Sequence, residues 1–483
     1  MKLRELTAEL EIRDTSVQDF DCAIREVTHQ SEAVEEGDLF ICVRGMQHDG
    51  HQYIDRAVFR GARVVVLEEG VPDPSAMEFL RNARNVDYIV VANTRDAMAR
   101  LYSARWGHPA RRMHMTAVTG TNGKTTTVYM LDAILREAGL RSAMIGTITD
   151  AMTTPDPDVL YRHLAQLADA GTEYVTMEAS SHALALDKLS PITFEQGIFT
   201  NLTPEHLDFH GTMENYCTAK AKLFAQCRCG LFNYDSEYGR RLYFGADCEK
   251  RFYSVQSGAA DFSAQGVVNR GIDGVLYHVM TDGGMFRVCS PMPGEFTVYN
   301  SLAAVSSALL RGIDSHTIRG AISRMQGVPG RLQRVPAGER IAVFIDYAHT
   351  PDALENVLRG VRRFMKSTQR LVVLFGCGGN RDRSKRPVMA SIACRLADFV
   401  VVTSDNCRCE EPGAIIAEIL TGMRPDKPQK VIEDRREAIL WTIRNAREGD
   451  VILLAGKGHE NYEIRADGKH PFSEADIVAE ALS

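Results

Sequence analysis

The stretch Thr116 to Thr127, TAVTGTNGKTTT, constrains the chain more than any other. An apolar run through Ala117 and Val118 ends in Gly120-Thr121-Asn122-Gly123-Lys124-Thr125-Thr126, and a helix-patterned segment follows at once. Strand, glycine-rich turn and helix in that order make a cradle for phosphate. Glycines let backbone N–H groups turn inward, and the helix N-terminus adds a positive dipole. Lys124 supplies a mobile cation, and Thr125 can offer its hydroxyl to Mg²⁺. The strict pattern G-x-x-x-x-G-K-[ST] would place a glycine at Val118, so this is a shortened relative of it. The expectation is a nucleoside-triphosphate site on an α/β scaffold.

At 483 residues the chain has room for about three domains of ~150 residues each. Its 25% charged and 45% hydrophobic residues suit a soluble globular protein, and a net charge of −7 gives no sign of a nucleic-acid surface. MKLRELTAELEIRD has no apolar segment of signal-peptide length, and no run of ~18 apolar residues occurs, so a cytoplasmic protein without membrane insertion is expected. The 11 cysteines are scattered. Cys227/Cys229 and Cys407/Cys409 have C-x-C spacing without a partner pair or histidine, which argues for reduced thiols rather than zinc.

Residues 1–107 read as a small α/β unit, with strands in GDLFICV, ARVVVLEE and DYIVVANT and helices in YIDRAVFRGA and RDAMARLYSARW. Gln47-His48-Asp49-Gly50 is either a ligand edge or a solvent loop. The pattern resets near Gly107. Residues 108–330 contain the phosphate loop, a helix from Thr125 to about Ala138 closed by Gly139, and strands in AMIGTI, EYVTMEA and GIFTN. A hairpin-like AQGVVNRGIDGVLYHVM and a helix beginning at Asn300 follow. Residues 331–483 repeat strand and helix: IAVFIDYA, LVVLFGCGG, FVVVTSDN and VILLAGKG are near-continuous apolar strands between amphipathic helices. That is the pattern of a parallel, doubly wound, Rossmann-like sheet, whose ligand crevice lies at the carboxyl ends of the strands. Asp346 to His349, Gly376 to Arg386, Asp405 to Arg408 and Gly456 to Glu460 all fall at that edge.

Several polar residues share strand-end positions. Glu178 precedes Ser180-Ser181-His182, and His206 lies in PEHLDFHG. With Thr125 they make a reasonable set around Mg²⁺ and a nucleotide. Lys220 lies on the next helix, where solvation alone would explain it. GNRDRSKR (379–386) concentrates four cations after a glycine turn, suited to anionic groups or simply a solvated basic loop.

The motifs GTNGKTTT, MEASSHAL, FTNLTPEHLDFHGTMENYCTAK, NSLAA, GRLQRV, DYAHTPDAL, FGCGGNRDRSKRP, SDNCR and GKGHE, in this order, resemble the Mur ligases. The likeness is strongest to the branch that adds the third peptide residue to the peptidoglycan precursor. It implies three domains: an N-terminal UDP-substrate domain at 1–107, a central P-loop ATPase-like domain at 108–330, and a C-terminal amino-acid-acceptor domain at 331–483. It also implies a monomeric, ATP- and Mg²⁺-dependent amide ligase. Such an enzyme joins meso-diaminopimelate to UDP-N-acetylmuramoyl-L-alanyl-D-glutamate through an acyl phosphate.

By the same resemblance Gly120, Thr121, Asn122, Gly123, Lys124, Thr125, Thr126, Asn300, Arg331 and Asp346 contact ATP. Thr125, Glu178, His206 and Lys220 serve the metal, Lys220 as an N6-carboxylysine carbamate, and Lys124, Glu178, His206 and Lys220 are catalytic. Ser31, Thr153, Thr154, Ser180 and Lys188 meet the nucleotide-linked dipeptide. Arg381, Asp405, Asn406, Cys407, Arg408, Gly456 and Glu460 read the diamino acid. The chain departs from the family pattern in four places, one being the short loop before Thr153, with Met152 where asparagine is common. Gln30-Ser31-Glu32 stands where Asp-Ser-Arg is usual, Leu186 and Lys188 where glutamine and arginine are frequent, and Cys407 where the acceptor motif has proline. Alternatives are a lysine-adding enzyme of the same branch, a folylpolyglutamate- or cyanophycin-type ligase, and a nucleotide-binding protein without catalysis.

Overall fold

The computed structural model describes residues 1–482 apart from 46, 47, 71, 72, 84, 151, 326 and 339; Gln47 of the expected ligand edge therefore lies outside the described residues. Contacts group the chain into two compact units. One is Met1–Lys124 with Ala138–Tyr253, and the other is Thr125–Glu137 with Ser254–Ser483.

The first unit opens with a five-stranded sheet in the order Ile12–Thr15, Asp87–Val91, Val64–Glu68, Leu39–Ile41, Val27–Thr28. Neighbours are parallel except at the edge strand Ile12–Thr15. Burial on both faces explains the unbroken apolar run in Val64–Glu68. Val64 and Val66 pack with Ile89 and the helix Thr94–Arg105, while Val65 and Leu67 pack with Phe40 and the helices Ile54–Phe59 and Pro74–Asn82. The side chain of Asn93 caps the helix Thr94–Arg105 by accepting from the Arg95 and Asp96 amides.

The same unit carries six parallel strands in the order Glu249–Ser254, Cys227–Asn233, Phe194–Phe199, His114–Thr119, Tyr174–Glu178, Ser142–Ile145. The strand feeding the glycine turn is central. In register, Val118 lies opposite Glu178 and Thr119 opposite Phe199. The loops after all three strands therefore emerge side by side.

In the second unit the expected hairpin is present as Phe262–Asn269 against Val275–Thr281, extended by Gly284–Ser290 into an antiparallel meander. The helix expected to begin at Asn300 begins at Glu295, so Asn300 stands in its interior. Gly294 at φ +96° marks the entry, and the start is masked in the sequence because Glu-Phe-Thr-Val carries no strong capping residue. The C-terminal sheet runs Gln333–Val335, Ala342–Asp346, Val451–Ala455, Leu371–Phe375, Phe399–Val402, Gln429–Val431, parallel throughout except for Gln333–Val335. Helices Pro351–Phe364, Lys385–Leu396 and Pro412–Leu420 cover one face, and Arg435–Arg444 with Glu474–Leu482 the other, giving the doubly wound arrangement. Val451–Ala455 is not the last element. A small hairpin, Tyr462–Arg465 with Gly468–Pro471, and the helix Glu474–Leu482 follow it. No described helix is long and apolar enough to cross a membrane.

Candidate active site

The phosphate loop is held from three sides. Thr119 Oγ1 donates to the Ala179 carbonyl at 2.8 Å. The Thr121 amide donates to the Asn201 carbonyl at 2.8 Å, and Thr200 Oγ1 donates to the Asn122 carbonyl at 2.7 Å. Asn201 completes the clamp: its Oδ1 accepts from the Asn122 amide at 3.0 Å and its Nδ2 donates to the Asn122 carbonyl at 3.0 Å. Gly120 has φ +148°, and a Cβ there would stand 1.9 Å from Thr200 Oγ1, so only glycine fits the turn. Thr200 and Asn201 were not singled out from the sequence, although they follow directly on the strand Phe194–Phe199 in FTN.

Lys124 opens the helix Lys124–Glu137, and its ammonium rests on the carbonyls of Gly120 (3.1 Å) and Thr121 (2.9 Å). Lys220 reaches the same Gly120 carbonyl at 2.9 Å from the helix Met213–Ala225 and is only 1% exposed. Its ammonium sits 4.6 Å over the Tyr216 ring. Burial, reinforced by the charge on Lys124, holds the Lys220 amine well below the ordinary lysine range. The sequence alternative of a merely solvated Lys220 is thereby excluded.

Glu178 ends its strand fully buried, and its Oε1 accepts from the Thr147 amide at 2.8 Å. Gly146 lets this happen, since a Cβ there would lie 2.3 Å from that oxygen. Thr154 donates to the Glu178 carbonyl at 2.8 Å and accepts from the Ser180 amide at 3.0 Å. Ser180 in turn caps the short helix Ser181–Ala185, and Thr153 shares a 3.4 Å hydroxyl contact with Thr147. The structure thus gathers Thr153, Thr154, Glu178 and Ser180 around one strand end. His206, in the left-handed region at φ +54°, brings its ring to 4.8 Å from that of His182. Burial, then the nearby His206, lowers the pKa of His182. Among the described residues no group of three or more His, Cys, Asp or Glu is poised to hold a metal.

Lys188 pairs with Asp156 at 2.6 Å. Ser31 is buried in the loop between Val27–Thr28 and Leu39–Ile41, and its neighbour Glu32 pairs with Arg56 at 3.0 Å.

The second unit presents the other candidates, all but Asn300 at the edge of its sheet where the parallel strands end. Asp346 accepts from the Leu332 amide (2.8 Å) and the Ala348 amide (2.9 Å), and burial raises its pKa against those bonds. Arg331 lies beside it, with its guanidinium 6.0 Å from the Tyr347 ring. Asn300 is half-buried on the helix Glu295–Leu310.

The residues expected to read the diamino acid lie on neighbouring loops. Asn406 Nδ2 donates to Glu460 Oε2 at 2.8 Å. Arg408, at φ +53°, donates from Nη1 to the carbonyls of Gly379 (2.9 Å) and Asn406 (3.2 Å). Cys407 is buried, with its thiol pushed up by that burial. A Cβ at Gly456 would approach Asp405 Oδ2 to 2.7 Å. The basic loop 379–386 divides. Arg381 and Arg383 are exposed, Arg383 pairs with Glu418, and Lys385 donates to the His349 carbonyl at 2.9 Å. Arg386 is 0% exposed and pairs with Glu410 (2.9 Å) and Glu418 (2.7 Å). Of the four cations read as anion-binding, Arg383 and Arg386 are committed to carboxylates of the fold.

The sequence reading also passed over two buried cations. Lys457 stands inside the GKGHE motif, and Arg435 donates to the Ser404 and Ala455 carbonyls at 3.2 and 2.9 Å. The sequence marks Lys457 only by its place between Gly456 and Glu460 and gives no signal for Arg435.

Comparison with known proteins places most of the chain in one family. Residues 23–106 match the Mur ligase family catalytic domain, 118–308 the Mur ligase middle domain, and 330–458 the Mur ligase, glutamate ligase domain. A protein of Syntrophomonas wolfei named UDP-N-acetylmuramoyl-L-alanyl-D-glutamate--2,6-diaminopimelate ligase is 40% identical, covering 100% of this chain and 99% of that one. Its namesake in Clostridioides difficile is 38% identical over 100% of both. A solved structure of a ligase with that name superposes with a TM-score of 0.70 at 30% identity, covering 100% of this chain and 98% of the other. The MurF ligase of Thermotoga maritima, solved in complex with ADP, shares the fold at a TM-score of 0.53 and 18% identity over 95% and 97% of the two chains. The chain belongs to the Mur ligase family of ATP-dependent, amide-bond-forming enzymes.

Proposed function

We propose that this ligase joins meso-diaminopimelate to UDP-N-acetylmuramoyl-L-alanyl-D-glutamate, as the names of its relatives describe for them. The observation that carries the reading is the end-to-end match at 40% identity to a protein of that name. The matched segments support a three-part division at 1–107, 108–330 and 331–483. The enzyme is taken to act as a cytoplasmic monomer.

The chemistry begins with transfer of the terminal phosphoryl group of ATP to the substrate carboxylate, which releases ADP and leaves an acyl phosphate. The amine of the diamino acid attacks the acyl carbon. The tetrahedral intermediate then loses inorganic phosphate as its C–O bond breaks, and the nitrogen gives up a proton. Phosphorylation converts oxide, a poor leaving group, into phosphate, a good one. What remains for the protein is to position two anions and an amine and to offset their charge.

Lys124 serves the phosphates by exchanging the Gly120 and Thr121 carbonyls for phosphate oxygens. Gly120, Thr121, Asn122, Gly123, Thr125 and Thr126 complete the phosphate site, with Asn300, Arg331 and Asp346 assigned to the remainder of ATP. Mg²⁺ takes few protein oxygens beside phosphates and water, and a buried carboxylate such as Glu178 fits that habit. Glu178, Thr125, His206 and carbamylated Lys220 would hold it, and it would offset phosphate charge. The neutral amine is the form that adds CO₂, and burial shifts Lys220 toward that form. Ser31, Thr153, Thr154, Ser180 and Lys188 are assigned to the nucleotide-linked dipeptide.

Arg381, Asp405, Asn406, Cys407, Arg408, Gly456 and Glu460 are assigned to the acceptor. Diaminopimelate differs from lysine by a carboxylate at the far end, and a guanidinium meets a carboxylate with two parallel charge-assisted bonds. The test is phosphate release with UDP-N-acetylmuramoyl-L-alanyl-D-glutamate against a panel of amino acids, with Lys124→Ala as the control. Diaminopimelate should give the highest kcat/KM, and Lys124→Ala should fall by about 100-fold or more. A wild type that prefers lysine would replace the acceptor, and a fully active Lys124→Ala would remove the nucleotide assignment.

A further inference from the structure

Lys457 is wholly buried, and its ammonium is shared among three segments of the second unit. It donates to Asn406 Oδ1 at 2.9 Å in the loop after Phe399–Val402, and to the Tyr462 carbonyl at 2.9 Å at the start of the small hairpin. Asp405 Oδ1 lies 3.6 Å away and Glu460 Oε2 3.8 Å away, in the same loop as Lys457 itself. The Phe472 ring covers it at 5.3 Å.

An amide side chain has a donor end and an acceptor end, and what surrounds it decides which way it faces. Here Lys457 and the Ile464 amide (2.8 Å) both donate to Asn406 Oδ1, so Nδ2 must turn to Glu460. The hairpin continues the chain of constraint, because its Ile464 carbonyl accepts from the Arg408 amide at 3.0 Å. That bond helps hold Arg408 in the left-handed region, where a side chain is otherwise disfavoured. Two carboxylates so close would repel and splay without a cation between them, and the buried ammonium in turn depends on them.

We propose that Lys457 is a positioning residue for the incoming diamino acid. It acts through Asn406, Glu460 and the hairpin that seats Arg408. The inference rests on reading these loops as the acceptor site. Lys457 orients the groups that meet the acceptor and leaves the phosphate chemistry alone.

Two measurements on the complete chain test it. By hydrogen exchange, Lys457→Met should speed exchange in segments 404–409 and 462–466 by about 10-fold or more while the strand Leu371–Phe375 stays protected. In steady-state kinetics the KM for meso-diaminopimelate should rise about 30-fold, with the KM values for ATP and the nucleotide substrate within about twofold of wild type. Adding Lys457→Met to Asn406→Ala should raise the acceptor KM by less than about threefold further, because the two act as one unit. Lys457→Gln, which keeps a donor, should fall between wild type and Lys457→Met and serves if the latter does not fold. Unchanged exchange in both segments, or all three KM values rising together, overturns the proposal. A wild type that accepts neither diaminopimelate nor lysine overturns the functional reading instead, and exchange then decides whether Lys457 organises these loops.

Discussion

The Lys220 ammonium donates to the Gly120 carbonyl at 2.9 Å, joining residues 100 positions apart and tying the helix Met213–Ala225 to the phosphate loop. The same carbonyl also accepts from Lys124, so two cations share one oxygen at the mouth of the loop. Such crowding is unfavourable while both amines are charged, and it adds to the burial that lowers the Lys220 pKa.

Lys220→Met should therefore separate stability from activity. Because the folded-state pKa is lowered, the unfolded chain binds more protons between that value and the ordinary lysine pKa of ~10.4. Wild-type stability accordingly rises with pH through that window and is lost as pH falls through it. In CO₂-free buffer the methionine variant should melt about 2 °C or more above wild type near neutrality, and the gap should close toward pH ~10. Turnover should fall by about 100-fold or more, and short carboxylates should restore part of it to Lys220→Ala. Full activity in Lys220→Met would sink the carbamate.

Gly146→Ala should injure the site through Glu178, against which Gly146 packs. Its new Cβ would force Glu178 Oε1 off the Thr147 amide. The expected result is a fall in kcat/KM of about 100-fold with a higher Mg²⁺ requirement, since the carboxylate is displaced rather than removed. A Mg²⁺ titration of activity equal to wild type would show that Glu178 does not serve the metal.

Arg408→Ala should relax acceptor choice. Its Nη1 is spent on two carbonyls, which fixes the fork and leaves its other edge for a carboxylate. Arg408 is half-buried, so losing a charge partner there should cost less than the about 2–5 kcal/mol of a fully buried pair, and the kcat/KM ratio of diaminopimelate to lysine should drop by about 10-fold or more. An unchanged ratio would move the specificity element elsewhere.

Arg386→Ala should act on folding. The fully buried guanidinium answers Glu410 and Glu418, and its loss should cost about 3 kcal/mol by denaturant titration. Arg381→Ala, at an exposed position two residues from Arg383, should leave stability within about 0.5 kcal/mol and alter only acceptor kinetics. Equal destabilisation by both would refute the division of labour in this loop.

The sequence by itself determined what local chemistry and periodicity can carry. The glycine turn at Gly120 and Gly123, the unbroken apolar strands Val64–Glu68, Leu371–Phe375 and Val451–Ala455, and the amphipathic helices between them specify a phosphate-binding, doubly wound α/β protein. The family motifs marked Glu178, His206 and Lys220 as candidates, and the fold sets Lys220 against the glycine turn and Glu178 on the strand beside it. Tertiary structure decided the rest, because partners distant along the chain leave no periodic trace. Pairing Val118 with Glu178 and Thr119 with Phe199 brought three separate loops to one edge, and inserting Val451–Ala455 between Ala342–Asp346 and Leu371–Phe375 set Glu460 beside Asn406. Burial, likewise a property of the packed chain, kept Lys220 from being a solvated surface lysine and turned Arg386 into a structural ion. It also made Lys457 the hidden cation of its motif. A charged residue looks the same in sequence whether water or a carboxylate answers it, and only packing decides which.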